Sequence, residues 1–249
     1  MEQLEHSLAI VELFNRVFGR PTAALLGIFG IHVQDPLHCI PDYVVMVLLV
    51  AAFLMLFFGL AGRKRALIPG KLQNVLELII EFFEGQLTDI IGPQGKKFLP
   101  VVGTVGLFIF FSNMIGLIPG LMSPTAKLNV TIGCALTVFV YYHYQGIKAQ
   151  GVLKYLKHFM GPIPALAPLM VPIELISHFS RPVSLSIRLF SNIFAEEVLI
   201  VVIASILPIL LPLPFMALSI FTAFLQAFVF ILLSCIYIAG AVEHQEEQH

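Results

Sequence analysis

The sequence predicts an all-α membrane protein: about five membrane-crossing helices, an amphipathic helix lying in the interface, and a long polar-seamed pair of helices at the C-terminal end. Three observations carry this. Hydrophobic residues make up 58% of the 249 and charged residues only 12%, about half the charge of a soluble domain. Apolar runs long enough to cross about 30 Å of hydrocarbon recur along the chain. Between them, Lys and Arg gather on alternate connections. The net charge of −1 gives nucleic acid nothing to bind, so no nucleic-acid partner is expected.

Residues 1–39 read as an outer-side N-terminal segment. It holds an amphipathic run from about Leu8 to Phe18 and a link ending at Asp35-Pro36, with apolar pieces too short to span the hydrocarbon. Its start, MEQLEHS, is acidic and lacks the basic region of a cleaved signal peptide. Residues 40–249 read as a single integral membrane domain. The first crossing, about 43–61, carries no charge until Arg63-Lys64-Arg65. Over 71–91, Glu77, Glu81 and Glu84 recur at helical spacing opposite Leu72, Val75, Leu76, Ile79, Phe82 and Phe83. That pattern predicts a helix in the interface plane whose acidic face is open to another subunit.

Lys96-Lys97 precede the second crossing, about 98–118, which Pro119-Gly120 should end. Ser123-Pro124 form the turn into the third, about 128–146, and a Gly- and Pro-rich loop with Lys148, Lys154 and Lys157 follows. The fourth crossing, about 169–207, returns through Pro208, Pro212 and Pro214 into the last, about 215–241, and an acidic tail closes the chain. Five crossings place Arg63, Lys64, Arg65, Lys71, Lys96, Lys97, Lys148, Lys154 and Lys157 on one side, against Arg16, Arg20 and Lys127 on the other. The positive-inside bias predicts an outer N-terminus and a cytoplasmic C-terminus.

The fourth crossing is unlike the rest. Drawn on a helix, Glu174, His178, Arg181, Arg188, Asn192 and Glu196 fall within a fan of roughly 80°, and Glu197 points about 100° away. An intramembrane Arg costs roughly 2.5–3.5 kcal/mol even on the lenient insertion scale, so it needs a partner, water or a function. The seam predicts a charged path through the membrane. Cofactor chemistry finds no support. His178 is the only His well inside a crossing, with His143 near an end, whereas a membrane haem wants facing pairs. Cys39, Cys134 and Cys235 show no CxxC spacing and read as small buried hydrophobes. Neither GxSG nor HExxH is present, which leaves an intramembrane protease without its nucleophile or metal. No cofactor and no metal are expected.

The run RPVSLSIRLFSNIFAEE, Arg181 to Glu197, with Leu225-Gln226-Ala227-Phe228 and the FSNMIGLIPG run of 111–120, resembles subunit a of the F-type ATP synthase. The resemblance covers about residues 40–240. It implies a non-catalytic stator subunit with two aqueous half-channels, partnered by c-ring rotor subunits, peripheral-stalk subunits and membrane lipid. It also implies a bacterial inner membrane as location. Residue by residue, it implies that Arg188 faces the rotor carboxylates. Glu174 and His178 then line the proton outlet, and Asn192, Glu196, Glu197 and Gln226 the inlet. One departure stands out: Ser219 sits where well-known bacterial relatives carry an ionisable group, and Glu196 where a small residue is common. The expectation is that Glu196 supplies the missing group from the opposite helix. The alternative is a secondary transporter or ion channel with an intramembrane charged pathway, but the sequence shows no internal repeat.

Overall fold

A computed structural model describes residues 9–28, 39–62, 70–118, 121–158, 167–206 and 212–242. Among them are eight α-helices: α1 (Ala9–Ile28), α2 (Asp42–Gly62), α3 (Lys71–Ile91), α4 (Leu99–Ile115), α5 (Leu128–Gln150), α6 (Val152–His158), α7 (Ala167–Ile206) and α8 (Pro212–Val242). The Asp35-Pro36 link, the Arg63-Lys64-Arg65 cluster, Pro119-Gly120, Pro208 and the acidic tail lie outside the described residues.

Four helical stretches among the described residues are long and apolar enough to cross a membrane: Asp42–Gly62, Pro93–Ile115, Ala167–Ile206 and Pro212–Val242. The expected third crossing does not join them on composition. α5 has 23 residues, about 34 Å at 1.5 Å per residue, enough to span. Its C-terminal half, however, carries Tyr141, Tyr142, His143, Tyr144, Gln145 and Lys148. Packing against other helices accounts for this polarity: Val138 and Tyr142 of α5 share a core with Leu185 and Leu189 of α7 and Cys235 and Ile238 of α8. By contrast, α2 turns Met55 (70% exposed) and Leu56 (62%) outward, apolar surface that water would not tolerate over such an area.

The interfacial helix has the expected asymmetry. Leu76, Phe83 and Leu87 of α3 are buried, Glu77 and Glu81 are exposed, and Phe82 meets Phe228 of α8 with ring centroids 6.0 Å apart. The pairing of α4 with α8 needs a small residue. A Cβ on Gly106 would stand 2.6 Å from Ile231 Cγ1 and 3.1 Å from Phe83 Cε1, so glycine lets three helices converge.

Two elements differ from the sequence reading. α1 runs for 20 residues, through Pro21, rather than ending near Phe18, because Ala23, Ala24, Leu25 and Leu26 are strong helix formers. Its Asn15 is buried and clamps the approach to α2: the side-chain amide donates to the Ile40 carbonyl at 3.2 Å and accepts from the Ile40 N–H at 3.1 Å. The loop expected after the third crossing is partly helical. α5 continues to Gln150, and Gly151, at φ 79°, turns the chain into α6 through a conformation that L side chains rarely adopt.

Candidate functional site

α7 is 40 residues long and contains Pro172 and Pro182. Pro182 has no N–H to return to the carbonyl of His178, so the helix loses a rung beside the His178 ring. Its inward stripe is His178, Pro182, Leu185, Ser186, Leu189 and Ile193, spaced as one helical face. The seam residues lie along the border of that stripe, in three groups at different heights.

The first group sits level with the Lys148 end of α5. His178 Nε2 lies 3.3 Å from Glu174 Oε1, and His178 Nδ1 lies 3.0 Å from the Tyr142 hydroxyl. Arg181 turns inward as well: its guanidinium lies over the Tyr237 ring of α8, 5.2 Å from the centroid. Arg181 is therefore held by a cation–π contact within the bundle. Tyr155 of α6 completes the group, its hydroxyl 2.6 Å from His143 Nδ1. Burial pushes the Tyr155 phenol above its ordinary range, so it keeps its proton at any physiological pH.

The second group is at mid-helix. Arg188 and Asn192 are exposed on the outer surface of α7. The Asn192 amide donates to Gln226 Oε1 of α8 at 2.9 Å, and Gln226 is itself buried. Among the described residues the ion pairs are Lys96–Glu84 and His178–Glu174, neither of which involves Arg188. A permanently charged guanidinium thus stands on the helix with no counter-charge among the described residues.

The third group lies toward the Pro212 end of α8. Glu196 is half-buried on the side of α7 near Thr222 and Ser219 of α8, and the Thr222 hydroxyl donates to the Leu218 and Ser219 carbonyls at 3.3 and 3.1 Å. Glu197 points elsewhere, as the helical wheel predicts: its Oε1 accepts the Ser123 backbone N–H at 2.8 Å. Behind Ser123 runs a buried polar chain. The Ser123 hydroxyl lies 2.9 Å from the Ser112 carbonyl and 2.7 Å from the Thr125 hydroxyl, and Thr125 donates to Asn113 Oδ1 at 2.6 Å.

The seven residues singled out from sequence therefore do not form one cluster. Glu174 and His178 meet each other, Asn192 meets Gln226, Glu196 and Glu197 diverge, and Arg188 faces outward. Sequence reasoning missed Asn113, Ser123, Thr125, Tyr142 and Tyr155. Ser112-Asn113 inside an apolar run was the available signal, since a polar pair there must find partners. Nothing in local pattern marks Tyr155.

Comparison with known proteins fits this architecture of long apolar helices around a helix with a charged border. The chain matches the family described as ATP synthase A chain over residues 44–239. It is 45% identical over 205 residues to ATP synthase subunit a of Sulfurihydrogenibium sp., covering 82% of this chain and 99% of the relative. It is 48% identical over 200 residues to ATP synthase subunit a of Campylobacter jejuni, covering 80% and 88%. ATP synthase subunit a 2 of Syntrophotalea carbinolica is 45% identical over 206 residues, covering 83% and 86%. The chain belongs to the ATP synthase A chain family, as a non-catalytic membrane subunit of the F-type complex.

Proposed function

We propose that this subunit, the proton-conducting part of the F-type stator, couples proton flow to rotation through Arg188. The observation that carries the reading is the exposed guanidinium on α7, unpaired among the described residues. Its counter-charge then comes from another chain, and a ring of rotor subunits, each presenting a carboxyl, is the partner that fits. Arg stays protonated at any accessible pH, so it neither relays a proton nor can be neutralised. As a carboxyl arrives, the fixed cation lowers its pKa and drives proton release. On leaving toward lipid the carboxylate must take up a proton again, because a bare charge there is costly. Arg188 also separates the two half-channels, so protons cross only by riding the rotor. Each supplies about 2.3 kcal/mol per 100 mV.

The outlet runs along Glu174 and His178, and the inlet along Glu196, Glu197, Asn192 and Gln226. Glu196 takes the role of the ionisable group absent at Ser219, an assignment supported by its half-buried position beside Ser219 and Thr222. The N-terminus lies outside and the Glu174 end faces the cytoplasm, following the distribution of Lys and Arg. Peripheral-stalk subunits hold the chain fixed, and a bacterial inner membrane is its location.

The test is proton pumping and ATP synthesis in membranes carrying Arg188→Ala, with assembly checked in parallel. Loss of both in an intact complex is expected. Full activity in a normally assembled complex sinks the reading.

A further inference from the structure

We propose that His143, with Tyr155 as its hydroxyl partner, is a further proton-carrying group that extends the outlet from the Glu174–His178 pair to the α6 surface. The inference deepens the reading above and rests on it.

The geometry is specific. The His143 ring centroid lies 5.1 Å from that of His178, and Tyr142 stacks on His143 at 4.3 Å while bonding His178 Nδ1 through its hydroxyl. The two imidazole edges are thus within one hydrogen-bonded step or one bridging water of each other. His143 Nε2 is buried and has no hydrogen-bond partner among the described residues, although a buried polar atom normally has one. On the opposite edge of the ring, Nδ1 is engaged by Tyr155 at 2.6 Å. An imidazole so placed has one nitrogen free to accept and the other already bonded to its exit. A proton taken up at Nε2 makes the imidazolium. Release of the Nδ1 proton to the Tyr155 oxygen, as that largely buried hydroxyl passes its own proton to a single water reaching its edge from the α6 side, returns the ring to neutral.

The Tyr155 contact depends on a notch in α5. A Cβ on Gly146 would stand 2.6 Å from Tyr155 Cε2 and 3.3 Å from the Ala241 Cβ, so the missing side chain is what lets the phenol lie flat and reach His143. Gly151 supplies the turn that brings α6 back over this notch. The groups around His143 are a set suited to passing charge. Glu174, His178 and Arg181 approach from α7, Tyr142 from α5, Tyr155 from α6 and Tyr237 from α8.

The experiment uses inverted membrane vesicles with the assembled complex and measures ATP-driven proton pumping against the pH of the cytoplasmic face. His143→Gln keeps a hydrogen-bonding side chain but cannot titrate. Expected is a loss of pumping of roughly tenfold or more, as for removal of a positioned acid–base group, together with a changed pH profile. Tyr155→Phe, which deletes one oxygen, should lower pumping in the same direction. In a His143→Ala complex, added imidazole should restore part of the rate. Unaltered pumping in assembled His143→Gln at every pH overturns the proposal, as does unaltered pumping in Tyr155→Phe should His143→Gln fail to assemble. Glu174→Gln separates the two readings: impaired there but normal in His143→Gln, the outlet stands and only this extension falls.

Discussion

An arginine held in hydrocarbon without a counter-charge would cost roughly 2.5–3.5 kcal/mol or more, yet Arg188 lies on the outer face of α7. Such a group needs a counter-charge or water at its head, and the proposed rotor contact would supply the counter-charge. The neighbouring amides act differently. Asn192 and Gln226 satisfy each other across two helices, so Asn192→Leu and Gln226→Leu should be less than additive. A coupling energy of about 0.6 kcal/mol, the usual interhelical value in membranes, is expected from thermal inactivation of the four complexes. Glu196→Gln keeps the hydrogen-bonding atoms facing Ser219 and Thr222 and removes the charge. Pumping should fall several-fold in that variant, and intact transport would mean that Glu197 suffices at the inlet. Arg188, Glu196 and Glu197 stood out in sequence because charge inside an apolar run is conspicuous, and Gln226 through the family resemblance alone. Tyr142 and Tyr155 were not, since an aromatic in a membrane helix reads as packing until its hydroxyl is seen to have a partner.

Helices were legible where one environment surrounds them. α2, α4, α7 and α8 follow from uninterrupted apolar runs, and α3 from its periodic glutamates. α6 was missed because its seven residues fall in a stretch that reads as a Gly- and Pro-rich loop, whereas α5 was placed as a crossing despite a polar C-terminal half that hydropathy penalises. The length of α1 was missed because Pro21 reads as a stop. Each case makes an elemental prediction. Gly106→Val drives a branched side chain into Ile231 and should destabilise the α4–α8 pair by about 1–3 kcal/mol, seen as a lower temperature of detergent-solubilised inactivation. Asn15→Ala strands the Ile40 N–H and carbonyl at a cost of about 1–3 kcal/mol. Limited proteolysis between α1 and α2 should then cleave faster, with pumping little changed.

The topology of the whole chain rests on which side the basic residues occupy. In a background lacking Cys39, Cys134 and Cys235, single cysteines at Lys127 and Lys148 should be labelled by an impermeant maleimide from opposite sides, the first from outside intact cells and the second in inverted vesicles. Labelling of both from one side would remove α5 as a crossing. A last consequence concerns the 40 residues of α7. Its contour is about 60 Å, longer than the roughly 40–45 Å of a bilayer with its headgroups, and both of its ends are apolar. To stay out of water it must recline rather than stand upright, so that its length is shared between depth and circumference. Glu174 and Glu196, about 33 Å apart along the axis at 1.5 Å per residue, are then displaced sideways as well as vertically. On the proposed reading, the lean of a single helix then sets the handedness of the motor: a mirror-image slope, with every residue unchanged, would turn the same downhill current into the opposite rotation.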